Sequence, residues 1–266
     1  MTDRADRLLA HMTQPEAARR LAEGTAIVVT GSIEQHGSHL PLGTDYLAAL
    51  TIALRVAEAL DAPVVPLSPV GVAPYHLPWP GSLSLRPETL MALLYDVCEG
   101  LARAGVERVL LINWHEGNTP AVRVGIDRVQ RDLPLRVIVA ETHIVTNSLY
   151  PEEMEFTHAG AMETAAVLAH DPTLVRLDQR RPGDPVEAGN AGHALFRRRD
   201  VFPVMRDFRE VAAQGWYGSP ETITLERAEQ IIDEVAGYVV DRYEQVCSAL
   251  AGAEPGGPVE IPQETH

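Results

Sequence analysis

Cysteine is scarce: Cys98 and Cys247 are the only two in 266 residues. Two thiols cannot build the multi-bridge framework on which small secreted domains depend, which fits a reducing compartment. Each sits in a segment that reads as an amphipathic helix, away from other potential ligands, so both are expected as small buried or half-buried residues. A secretory leader is not expected either. The stretch MTDRADRLLAHMTQPEAARR is charged throughout and has no apolar centre, so the expected location is cytoplasmic. Long apolar runs are lacking: segment 46–60 is interrupted by Arg55 and Glu58, so no membrane span is expected. Basic charge is in deficit, with 22 Lys and Arg against 37 Asp and Glu and a formal net charge of −15. A surface of that sign repels nucleic-acid phosphates and anionic lipid, so neither is an expected partner. There is no G-x-G-x-x-G after a strand and no G-x-x-x-x-G-K-[ST], so a nucleotide-binding domain would lack its usual phosphate cradle.

What is present is a globular composition, 45% hydrophobic, in a chain long enough for one sizeable core. Thr13-Gln-Pro-Glu16 reads as a helix start with a capping box, leading to a short helix ending near Leu21. Thr25–Thr30 is a continuous apolar and β-branched run, the pattern of a strand buried on both faces. The alternation then repeats: helix 46–60, strand 64–67, helix 87–104, strand 108–112, helix 119–132, strand 135–140, helix 161–169. Strands alternating with helices imply a mainly parallel sheet covered on both faces. Segment 171–218 is rich in Arg, Asp, Gly and Pro and reads as irregular, with one short helix over 191–198. A last helix is expected over 225–249. The organisation is one α/β domain over 1–250 followed by a disordered Pro/Gly/Glu-rich tail, 251–266.

Ligands of α/β sheets bind beyond the carboxyl ends of the strands, so the residues just past each strand are the ones to search for chemistry. After the first come Glu34, His36, His39 and Asp45. Glu34 and His36, two apart, point the same way in an extended segment, and Asp45 precedes a helix that it can cap. Carboxylate plus imidazole suits Zn, Mn or Fe. After the third strand, His115 lies in Asn113-Trp-His-Glu-Gly-Asn118 and is the natural next ligand. After the fourth, His158 precedes a helix and Glu163 lies just inside it; one can shuttle protons while the other binds metal. Of the other histidines, His39 is a candidate for hydrogen bonding a ligand and His76 for lining a substrate pocket. His143 is as readily structural as functional, and His11, His170, His193 and His266 are expected at the surface. Trp79 and Trp216 read as packing residues.

Taken in order, Glu34-Gln-His36-Gly, Pro41-Leu-Gly-Thr-Asp45, Asn113-x-His115-x-Gly-Asn118 and His158-Ala-Gly-x-x-Glu163-Thr164 resemble the creatininase (creatinine amidohydrolase) family. Segment 77–85 resembles the family's stretch between the two halves of the site, and 215–220 its late Gly-x-x-Gly-x-Pro turn. The resemblance spans about 5–248. It implies a three-layer α/β/α sandwich, a homo-oligomer that is often a hexamer, and two divalent metal ions (Zn, Mn or Fe). It places Glu34, His36, Asp45 and His115 as ligands, Asp45 as the bridge, Glu163 as completing the site and His158 in proton transfer. The implied activity is hydrolysis of a C–N amide-type bond in a small molecule by a metal-activated water. There are departures. Creatininase proper carries a ligand glutamate two residues after the histidine; here that position is Gly117, and Glu116 is displaced by one. The tryptophans that close over creatinine have no clear match, the nearby aromatics being Trp114 and Phe156. Cyclic amides, formamides and modified peptides, all handled within the family, therefore remain open as substrates, and a metal-binding, non-catalytic subunit is the reading from another class.

Overall fold

The structure, a computed structural model, describes residues 4–154, 156–198 and 200–251. The expected disordered tail therefore falls outside the described residues apart from Ala251, as does His266. Four strands form one sheet: β1 (Thr25–Thr30), β2 (Val64–Ser68), β3 (Arg108–Asn113) and β4 (Arg136–Glu141), in the order β2-β1-β3-β4. All neighbours are parallel, with Thr30 opposite Asn113 and Asn113 opposite Glu141 at the carboxyl edge. Successive side chains of a strand point to opposite faces, and the central strands obey this with apolar residues on both. Ile27 and Val29 of β1 and Leu110 and Ile112 of β3 enter one core. Ala26, Val28, Val109 and Leu111 enter the other.

Each face is covered by helices. On the first lie α2 (Thr44–Leu60), α5 (Thr142–Leu149), α6 (Ala161–His170) and α8 (Leu225–Leu250); α2, α6 and α8 pack on one another, and α5 packs on α8. On the second lie α3 (Pro87–Arg103) and α4 (Thr119–Asp132). The expected three-layer sandwich is thus observed. Before the sheet, α1 (Gln14–Leu21) starts as expected, the Glu16 carboxylate accepting from the Thr13 backbone N–H at 2.7 Å and its hydroxyl at 2.6 Å. Cys98 is buried and Cys247 half-buried. No described helix is long and apolar enough to cross a membrane.

Two elements depart from the sequence reading. Helix α5 starts at Thr142, directly after β4 ends at Glu141. Its Thr-His-Ile-Val-Thr run is β-branched and looks like more strand, which hides it. Helix α7 runs Val186–Phe196, five residues earlier at its start than expected. Pro185 sets its first turn, while Gly189 and Gly192 weaken the helical pattern.

Chain order and strand order together place the site. The chain leaves β1 for β2 on one side and returns to β3 on the other side of β1. This reversal opens a crevice at the carboxyl ends of β1 and β3. Gly31, just past β1, lies so close to the first turn of α2 that a Cβ there would overlap the backbone of Asp45 and Tyr46. Asn118 braces the same corner: its side-chain amide donates to the Gly31 carbonyl at 2.9 Å and accepts from the Val72 N–H at 2.8 Å.

Ile52, fully buried in the first core, tests this packing. Ile52→Ala is expected to lower the unfolding free energy by about 2–5 kcal/mol. Val124→Ala, at a side chain 63% exposed, should stay within about 0.5 kcal/mol. Urea denaturation of the two variants measures both.

Candidate metal centre

Five candidate ligands converge in the crevice, all buried. Glu34 and His36 come from the loop after β1, Asp45 from the first turn of α2, His115 from the turn after β3 and Glu163 from the first turn of α6. Two of the three carboxylates therefore sit at helix N-termini, where unpaired N–H groups favour negative charge. Asp45 is central: its Oδ2 lies 2.9 Å from His115 Nδ1 and its Oδ1 3.4 Å from His36 Nε2. His36 Nε2 is also 3.7 Å from Glu163 Oε2, and Glu34 Oε2 is 3.3 Å from His115 Nε2. Glu34, Asp45 and His115 form one group with converging donor atoms, and His36, His158 and Glu163 another.

The second nitrogen of each imidazole fixes its tautomer. His36 Nδ1–H donates to the Glu34 carbonyl at 3.0 Å, leaving Nε2 toward Asp45. His115 Nε2–H donates to the Val72 carbonyl at 3.0 Å, leaving Nδ1 toward Asp45. His158 Nε2–H donates to the Gln35 carbonyl at 2.8 Å, leaving Nδ1 on the Glu163 side, 4.0 Å from Oε1. His36 Nε2 and Glu34 Oε2 are buried without a hydrogen-bond partner. A ring nitrogen aimed at carboxylate oxygens is an arrangement that a proton or a metal cation between them satisfies and a neutral cluster does not. The donor set therefore fits divalent metal.

Charge within the cluster is tightly balanced. Burial pushes His36 down, but Glu163 and Asp45 outweigh it and hold the ring well above its ordinary pKa. Burial likewise opposes Glu34 and Asp45 at His115, which ends at about 9. Burial raises Glu34 to about 7. Asp45 is held well below the usual carboxylate range, because His36 and His115 overcome its burial. His158 goes the other way: burial, aided by His36, lowers it to about 4, so its ring is neutral.

The remaining polar residues sort themselves. His76 is closer to the centre than a pocket-lining role requires. Its Nδ1 accepts from the Gln35 side-chain amide at 3.0 Å, so its Nε2–H faces Glu34 Oε1 at 3.3 Å. Gln35 also donates to the Gly215 carbonyl. His39 bonds no ligand side chain; it donates to the carbonyl of Ala159, next to His158, at 2.9 Å and packs edge-on against Trp216. Ala159 has φ 58°, left-handed for a residue with a Cβ. Its N–H is held by Glu163 Oε2, and the neighbouring His158 exchanges backbone hydrogen bonds with Tyr217. Trp216 is buried and Trp79 packs beside Phe208 and Tyr217, as expected of packing residues.

Glu116 stays out of the cluster. It pairs with Arg197 at 2.8 Å, and the Arg197 guanidinium lies 3.8 Å over the Phe156 ring. Two histidines expected at the surface are not there: His170 is half-buried on Thr51 at 2.8 Å, and His193 bonds the Tyr217 hydroxyl and packs on Phe208. His193 is turned inward because α7 covers the mouth of the crevice, a long-range placement with no local signal. His143 is buried, its ring nitrogens have no hydrogen-bond partner, and burial lowers its pKa to about 4.

Fold and centre together define an α/β/α protein with a buried carboxylate–imidazole cluster at its topological switch point. The creatininase model, described as creatinine amidohydrolase, matches residues 10–243. The chain is 31% identical over 252 residues to creatinine amidohydrolase from Pseudomonas putida, covering 86% of this chain and 93% of that one. It is 28% identical over 230 residues to a mycofactocin precursor peptide peptidase from Mycolicibacterium smegmatis, covering 81% and 83%. A mutant creatininase of Zn-Zn type superposes with a TM-score of 0.73 at 28% identity, covering 90% of this chain and 98% of that one. A manganese form gives 0.71 at 28%, covering 94% and 99%. The chain belongs to the creatininase family.

Gly117 explains why no side chain reaches the centre from that position. A Cβ there would overlap the Val72 carbonyl and His115 Nε2. Gly117→Ala is therefore expected to displace His115 and weaken Zn²⁺ binding by about tenfold or more, as loss of a ligand's supporting contact does, while far-UV circular dichroism is unchanged. Calorimetric titration with Zn²⁺ measures it.

Proposed function

We propose that this protein is a metal-dependent amidohydrolase that cleaves a C–N amide-type bond. The observation that carries the reading is Asp45, buried with one carboxylate oxygen toward His36 and the other toward His115, the disposition of a ligand shared by two ions. Glu34, Asp45 and His115 would hold one ion; His36, Asp45 and Glu163 the second. When bound, a pair of Zn, Mn or Fe ions supplies Lewis-acid polarisation of the amide carbonyl and lowers the pKa of water toward neutrality.

The chain's own residues do the rest. Ser32 donates to Asp45 Oδ2 at 2.7 Å and His76 faces Glu34 Oε1 at 3.3 Å, so each carboxylate is held in one orientation. Preorganised ligands need no rearrangement as charge develops. His158 is the proton carrier. Its Nε2–H is fixed on the Gln35 carbonyl, so Nδ1 is the nitrogen that takes a proton from the attacking water and returns it to the leaving amine. Burial keeps that ring neutral, so it starts as an acceptor. Glu163, tied to the Ala159 N–H, positions the His158 segment as well as completing the cluster. A non-catalytic subunit is disfavoured, because metal binding alone would need no neutral histidine held beside the cluster. The same reading extends to a cytoplasmic homo-oligomer of up to six copies, which light scattering on the purified protein checks.

Elemental analysis of protein purified without chelator tests the centre. About two divalent ions per chain are expected, and loss of both in Asp45→Ala. Unchanged metal content in Asp45→Ala would remove the bridge. His158→Ala should keep its metal while turnover falls by roughly 10²–10⁴; full turnover in that variant would rule out His158 as the proton carrier.

A further inference from the structure

Above the cluster the crevice widens into a cavity of about 550 Å³. That is within the range of roughly 300–1,000 Å³ that encloses a drug-sized ligand, several times what an isolated amide fills. Its walls change character with height. The floor carries the cluster. The upper wall is built by the end of α7 and the chain beyond it, with Phe196, Phe202, Val204 and Met205 lining the cavity, while Phe208 packs on the rings of His76 and His158 beside the cluster. Tyr75, packed with Phe208, and Phe156, beneath Arg197, line it as well.

Among the described residues, charge is nearly absent from this wall. Outside the cluster, the charged side chains lining the cavity among the described residues are Glu116 and Arg197, and they are bonded to each other. The Arg197 guanidinium is further occupied by the Phe156 ring. His143 and His193 also line the cavity, and burial holds both as neutral rings. Among the described residues an ionic group on a substrate would find no free counter-charge there and would give up its hydration without return. At the rim, Phe202 is 54% and Val204 76% exposed. Large apolar side chains left in water at the mouth of a catalytic cavity gain by covering.

We infer that the substrate is an uncharged amide carrying a bulky apolar group, seated against Phe196, Phe202, Val204 and Phe208 while its scissile bond lies over the cluster. The inference rests on the amidohydrolase reading and names its substrate class. It separates this protein from an enzyme for a small polar amide, which would use the floor and leave the upper cavity to water.

Hydroxamates bind metal pairs through one common headgroup, so a matched series isolates the flank. Calorimetry of the Zn²⁺-loaded protein would compare acetohydroxamate, 3-phenylpropionohydroxamate and the monohydroxamate of succinate. The phenyl compound should bind tighter than acetohydroxamate by about tenfold or more, with a more negative heat-capacity change, and the succinate compound should show no such gain. Phe202→Asp and Val204→Asp, both at exposed positions that leave the core alone, should shrink the phenyl advantage at least threefold. Equal affinity for the phenyl and methyl compounds would overturn the inference while leaving the metal centre standing. So would a succinate compound that binds as tightly as the phenyl one, or an advantage that survives both rim variants. Failure of all three to bind would overturn the metal centre, and the inference with it.

Discussion

Three carboxylates, Glu34, Asp45 and Glu163, are buried in one place, and the surrounding structure is arranged around holding them there. Like charges in a low-dielectric interior repel strongly and lose their hydration. The fold answers in three ways. Two of the carboxylates occupy first turns of helices, where backbone N–H groups supply partial positive charge. Histidines are interleaved among all three. The remaining imbalance is a demand for positive charge, which His36 and His115 answer with raised pKa values and which a divalent cation would answer in place of their protons.

Precision comes from the backbone rather than from neighbouring side chains. His36, His115, His158 and His39 each hand their other ring N–H to a main-chain carbonyl, those of Glu34, Val72, Gln35 and Ala159. A carbonyl in a fixed segment cannot change rotamer, so each ring is set by the path of the chain. The left-handed Ala159 belongs to this logic. Strain of about 1–3 kcal/mol at one residue persists only where the surroundings over-determine it, and here Glu163, His39 and the Tyr217 strand pairing all do so.

Local chemistry made much of this legible in the sequence. The strands were readable because β1 and β3 are buried on both faces and carry unbroken apolar runs. Glu34, His36, Asp45, His115, His158 and Glu163 were readable because strand ends and helix starts announce themselves, and reactive side chains cluster there. What was hidden depends on distance. His76 reaches Glu34 only because the loop after β2 folds back over the loop after β1, through Leu83 N–H donating to the Ile33 carbonyl at 2.8 Å. His193 reaches the cavity from α7 and Phe208 from the chain beyond it, both distant in sequence from the other lining residues. Helix α5 was concealed by its own β-branched residues, whose preference its packing on α8 and against β3 and β4 overrides.

The switch point between β1 and β3 has a thermodynamic side. The cluster draws donors from positions 34 to 163, from the ends of β1 and β3 and from the first turns of α2 and α6. These come within reach of one another only once the sheet has formed and both helices have docked on the same face. A cation held by all of them has no comparable site on the unfolded chain, so its binding free energy is drawn from the folded state alone. The centre is in this sense also a rivet: the ions that activate water would fasten the first helical layer to the carboxyl edge of the sheet. Chelation would then loosen the α2–α6 layer before it touched α3 and α4 on the far side.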